Sequence, residues 1–232
     1  KQVTNNLDGL ETVLWDLNHG LPVLSDFYRI ALSDDDKLVY ARILGMYGRN
    51  DGYESLQKAV DGFGDWDEGW NYTGMGQFGA SMSYMDSVII ALGNCKKKES
   101  IQSIIRMAKK LSSESRFSHF RAVAIALETI ADESAAKELF DLLQMKGMTG
   151  HAMTDIHKAI EMTPENSVDT STRNNSLREL VLGRALFKCG DFNGLGTKIL
   201  EEYSRDLRGH YYRHASGVLE LYKKQKPKDV IL

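Results

Sequence analysis

SLRELVLGRALFKCGDFNGLGTKILEEY, residues Ser176 to Tyr203, reads as two helices joined by a tight turn. Leu177, Leu180, Val181, Gly183 with Arg184, Leu186 and Phe187 recur at the i, i+3, i+4, i+7 spacing of an amphipathic helix. Ser176, with Glu179 three residues on, has the form of a capping box, in which hydroxyl and carboxylate each take up a free N–H of the first turn. Gly190 follows Cys189 where a left-handed residue stops a helix. A second helix resumes near Gly194 and offers Leu195, Ile199 and Leu200 to a core.

Weaker copies of this hairpin recur upstream. YARILGMYGRNDGYESLQKAV lays Tyr40–Gly48 over Leu182–Gly190, with Arg42 on Arg184 and Leu44 on Leu186. DSVIIALGNCKKKESIQSIIRMAKKL and AVAIALETIADESAAKELFDLLQM are the next two. Leu44, Leu92, Leu127 and Leu186 thus mark four helix pairs, with Leu92 and Leu127 35 residues apart and the wider intervals implying insertions. Helix pairs at such a period predict an all-α fold, an α-α superhelix (a HEAT-like solenoid) of about ten helices with two loop insertions, forming a single domain over 1–232.

Local signals place the other boundaries. Ser25 is a candidate N-cap for SDFYRIAL, after a helical segment around Leu10–Leu17. Ser33 opens the next helix with Asp34, Asp35 and Asp36 at the positive end of its dipole. Asn50-Asp51-Gly52 makes the turn into YESLQKAV. The first insertion, Asp61–Ser81, is rich in glycine and aromatics; the second, Met145–Asn175, ends in a polar run, Thr163–Asn175, expected to be a surface loop. The last residues from Lys226 read as a frayed tail.

Composition bounds the function. A formal charge of −3 on 232 residues gives no electrostatic footprint for nucleic acid. Three prolines and many Leu, Ala, Met, Lys and Glu suit helices. No apolar run reaches the roughly 18 residues that a membrane span needs. Cys95 and Cys189 are expected to be reduced core residues at equivalent hairpin positions. The chain opens on Lys1, with neither initiator Met nor signal peptide, which suggests a piece of a longer polypeptide.

Few residues offer chemistry. Gly74, Gly76 and Gly79 match a dinucleotide fingerprint, but DEGWNYT ahead of them is no strand, so the string reads as a turn launching a helix. Asp65, Trp66, Asp67, Glu68, Trp70 and Tyr72, with Phe78 beyond, combine carboxylates and aromatics as a sugar or cation site does. The same residues also suit a plug for the groove or a contact with a partner. His210 and His214 stand i, i+4 without a third ligand, so no metal site is read there. Arg205, Arg208 and Arg213 make that segment a basic cluster able to grip a carboxylate- or phosphate-bearing partner. His151 and His157 do not share a helix face, Lys96–Lys98 reads as a solvated turn, and no catalytic residue is assigned.

RELVLGRALFKCGD, followed by GLGTKILEEYSRDLRGHYYRHA, resembles the C-terminal helical region of bacterial FAD-dependent oxidoreductases, mostly from Bacteroidetes and related phyla. The likeness is clearest over residues 177–217, in the strings CGD-x-x-GLG and DLRGHYxRHA. In that family a large flavin-binding portion precedes a HEAT-like repeat region. The resemblance implies no cofactor in this chain and FAD in an upstream domain. The partner is then that flavin domain or another protein, with Asp65–Phe78 and Arg208–His214 as the contact segments. The alternatives are a free-standing solenoid that binds a protein or peptide, and a glycan-binding or glycan-processing module using the Asp65–Tyr72 loop.

Overall fold

The computed structural model describes residues 17–72, 82–166 and 169–225. Among them the chain is all-α, with eleven helices and no strand. The first three are α1 (Leu17–Ile30), α2 (Asp34–Met46) and α3 (Tyr53–Gly62). α4 (Tyr84–Asn94), α5 (Ile101–Ala108), α6 (Phe117–Ile130) and α7 (Ala136–Gln144) form the middle. α8 (Ile156–Met162) is short, and α9 (Ser171–Lys188), α10 (Leu195–Tyr203) and α11 (Gly209–Gln225) complete the set. No helix among the described residues is long and apolar enough to cross a membrane.

The four marker leucines are equivalent in the fold. Leu44, Leu92, Leu127 and Leu186 are each fully buried, a burial that stabilises by roughly 1.5–3 kcal/mol per side chain. Four residues after each, the backbone turns left-handed: Gly48 at φ +73°, Lys96 at +53°, Ala131 at +55° and Gly190 at +101°. The turn reuses the carbonyls freed at the helix end. Arg49 N–H returns to Leu44 O at 2.9 Å, and Asp191 N–H to Leu186 O at 2.9 Å. Only two of the four positions carry the glycine that makes this conformation easy.

The first helices of the hairpins lie side by side in chain order, α2 on α4, α4 on α6 and α6 on α9. The second helices interlock the hairpins, because α3 packs on α4, α5 on α6, α7 on α9 and α10 on α11. The residue after one marker leucine meets the residue before the next. A Cβ built on Gly45 would come 2.8 Å from Ala91 Cβ, and one on Gly93 2.5 Å from Ala126 Cβ. At the third junction Glu128 stands in the glycine position and takes a bidentate ion pair from Arg184, Nε–Oε2 2.6 Å and Nη2–Oε1 2.9 Å.

Some local expectations are corrected. Ser25 lies within α1 and is buried, so it caps nothing. α9 begins at Ser171, five residues before the anticipated box, which makes Ser176 and Glu179 buried interior residues and turns 171–175 from loop into helix. The capping box formed here is Ser83 with Asp86 at the start of α4. Ser33 does cap α2, accepting Asp36 N–H at 3.0 Å. Phe78, the Gly74–Gly79 string, the tail from Lys226 and Leu10 to Asp16 of the first helical segment lie outside the described residues.

Candidate functional site

The first insertion is tied down from Asp65 to Tyr72. Trp66 is partly buried against the core, stacks on the His119 ring at 4.3 Å between centroids, and donates Nε1–H to Met107 O at 3.1 Å. Asp67 accepts Met85 N–H through Oδ2 at 3.1 Å. Trp70 exchanges two bonds with Ser118: its N–H goes to Ser118 Oγ at 2.9 Å, and its carbonyl accepts Ser118 N–H at 2.9 Å. Asn71 Oδ1 accepts Phe117 N–H at 2.6 Å. The loop thereby satisfies N–H groups that the first turn of α6 leaves open, in place of a side-chain cap on Arg116. Asp65 turns back on itself, accepting Trp66 N–H at 3.0 Å.

Beneath this loop lies a buried polar pair. His119 Nδ1 is 2.8 Å from Asp86 Oδ1, and its Nε2 is 3.1 Å from Asp67 O. Burial alone would raise the Asp86 carboxyl; hydrogen bonds from His119, Ser118 and the Ser83 backbone outweigh it and hold the carboxyl below the usual carboxylate range. Both neighbours of the ring are acceptors. With its two nitrogens engaged and one face under Trp66, the ring serves the fold.

The C-terminal cluster is a second fastening. Arg208 reaches Asp206 through Nε and Nη2 at 2.9 and 2.7 Å, Ser176 Oγ through Nη1 at 3.0 Å and His151 O through Nη2 at 3.0 Å. Its guanidinium lies 4.2 Å from the Tyr211 ring centroid. Asp206 also accepts Met153 N–H at 2.9 Å. Glu179, buried inside α9, accepts Gly150 N–H and His151 N–H at 2.8 Å each and Tyr203 O–H at 2.9 Å. Two buried carboxylates therefore bind residues 150–153, and the residues of DLRGHYxRHA provide the brace. His214 Nε2 accepts from Arg184 Nη1 at 3.0 Å. Burial first, then Arg184 and Lys188, hold its pKa below the ordinary value.

Arg173, a residue the sequence did not single out, lies against the first candidate segment. Its guanidinium lies 3.8 Å from the Tyr72 ring centroid. Next to it, Asn174 accepts Tyr72 N–H at 2.9 Å and donates to Tyr72 O at 3.0 Å. Thr170 O–H also donates to Tyr72 O. His210 is held below its ordinary pKa by burial, then by Arg208 and, more weakly, by Arg173. His210, Arg213 and Tyr212 are exposed on α11. Among the described residues no group of three or more His, Cys, Asp or Glu is arranged to hold a metal ion. Comparison with family models, with curated proteins and with solved structures finds no match to this chain.

Proposed function

We propose that this chain is the non-catalytic helical part of a FAD-dependent oxidoreductase. Its stacked helix pairs form a HEAT-like α-α superhelix that packs on, or positions, the flavin portion or a partner protein. The observation that carries the reading is the internal use of the DLRGHYxRHA string. Asp206, Arg208 and Tyr211 brace α9, α11 and residues 150–153 together, which is work for a scaffold. His210 and Arg213 of that string are left on the surface, and Arg173, which lies over Tyr72, adds weakly to the positive surroundings of His210. Trp70, Tyr72, Arg173, His210 and Arg213 make up the contact face, with the basic groups matched to acidic groups on the partner.

Negative charge introduced at the exposed positions tests this. His210→Glu with Arg213→Glu is expected to weaken association between this chain and the flavin portion at least about tenfold, with the unfolding midpoint unchanged. Full-strength association of the double variant would remove the face from consideration.

A further inference from the structure

A cavity of about 170 Å³ opens between the first insertion and α9, lined by Asn71, Ser113, Ser115, Ser171, Asn175 and Arg178, with Glu114, Phe117 and Asn174 completing the wall. Arg178 is 8% exposed, and its Nε–H has no hydrogen-bond partner. Its remaining hydrogen bonds all go to neutral oxygens, Ser113 O at 2.7 Å, Gly147 O at 3.0 Å and Asn175 Oδ1 at 3.1 Å. A guanidinium this buried ordinarily has a carboxylate beside it. Arg178 is a cation with three N–H groups engaged, its guanidinium 5.3 Å from the Phe120 ring centroid and its Nε–H unused.

The amides around it are oriented by their other bonds. Asn71 Oδ1 accepts Phe117 N–H, and Asn175 Oδ1 accepts from Arg178, so each turns its NH2 group elsewhere as a donor. Ser115 Oγ accepts Ser112 N–H, which leaves its hydroxyl proton to give. The first turns of α6 and α9 both border the cavity through Phe117 and Ser171, adding positive helix ends. Opposing charge is present: exposed Glu114 stands at the wall, and Asp169 accepts Ser171 N–H at 2.7 Å. The inner wall is nonetheless a donor set around a cation.

We propose that this cavity binds a carboxylate, held by the amide groups of Asn71 and Asn175 in the field of the buried Arg178 guanidinium. The site is small enough for a single carboxyl group with a short stem, from a free organic acid or from the end of a peptide. It stands independently of the flavin reading, because it uses this chain's residues alone.

The test is titration of the 232-residue chain, followed through its Asn side-chain NH2 and Arg Nε–H resonances, at constant ionic strength. Acetate, succinate, inorganic phosphate and chloride are compared, together with a short peptide bearing a free C-terminal carboxyl and its amidated twin. Saturable shifts of Asn71, Asn175 and Arg178 with acetate or succinate support the site. Free-acid peptide binding without amide binding assigns it to a chain terminus, and binding of the small acids without the peptide assigns it to a metabolite. Ser171→Asp puts a like charge at the rim while favouring the start of α9, so it is expected to keep the fold and weaken binding about tenfold or more. Shifts that are absent, that chloride or phosphate reproduces equally, or that survive Ser171→Asp unchanged would overturn the proposal.

Discussion

Gly93 of α4 approaches α6 so closely that a Cβ added to it would stand 2.3 Å from Ala126 Cα. The neighbour is backbone, so neither helix can yield by turning a side chain. The spacing of these two helices rests on a missing methyl group, and the same relation holds between Gly45 and Ala91.

Gly93→Ala should therefore destabilise by about 2–4 kcal/mol, as overpacking at a helix contact does. Gly217→Ala, where an added Cβ meets nothing within 4 Å, should stabilise by about 0.5–1 kcal/mol through helix propensity. Urea denaturation of both variants reads the contrast, and equal effects would contradict the packing described.

The repeat was legible because each hairpin puts its leucine and its helix stop at the same offsets, and two of the four add a thiol. Cys95 and Cys189 both stand three residues after a marker leucine and are both buried free thiols. The capping box at Ser176 was misread because Ser and Glu offer the same groups to any nearby N–H. Here Glu179 finds those of Gly150 and His151, across a loop with no pattern of its own. The lacing of the first insertion could not be read at all. Asn71 pairs with Phe117, and Tyr72 pairs with Asn174 at a separation of 102 residues, beyond the reach of local spacing. Arg173 was passed over for that reason, since its meaning comes from the ring it covers.

Trp66 is part of the fold as well as of a candidate contact segment. Trp66→Ala should cost about 3 kcal/mol, by losing the stack on His119 and the bond to Met107 O while leaving a cavity. Trp66→Phe should cost less, keeping a ring and losing the hydrogen bond, which is worth about 1 kcal/mol. Circular dichroism against urea measures both. A Trp66→Ala midpoint equal to wild type would show that the loop is not needed to hold α5 and α6 in place.

His214 makes stability depend on pH. Its pKa is lowered in the fold from the ordinary 6.5, by burial and by Arg184 and Lys188. The unfolded chain then binds more protons across the window below 6.5, so the contribution is present above 6.5 and is lost as pH falls toward the folded value. His214→Gln keeps an acceptor for Arg184 and removes the titration. Its midpoint should fall less steeply than wild type between about pH 7 and pH 5.

The thiols should be inert until the chain unfolds. Burial pushes Cys95 up to about 11 and Cys189 up to about 12. Each donates to a helix carbonyl, Cys95 to Ala91 O at 3.4 Å and Cys189 to Leu127 O at 3.4 Å. Iodoacetamide at pH 8 should label neither in native protein and both in urea. Rapid native labelling of Cys189 would contradict its place beneath α6.

The most direct measurement is the intact mass and visible spectrum of the polypeptide containing this sequence, purified from its native host. A mass well above 26.1 kDa together with flavin absorption is the expected result, with this chain as its helical part. A colourless polypeptide of about that mass would contradict the oxidoreductase assignment. The helix pairs would then belong to a free-standing protein whose partner has to be sought at the Tyr72–Arg213 face.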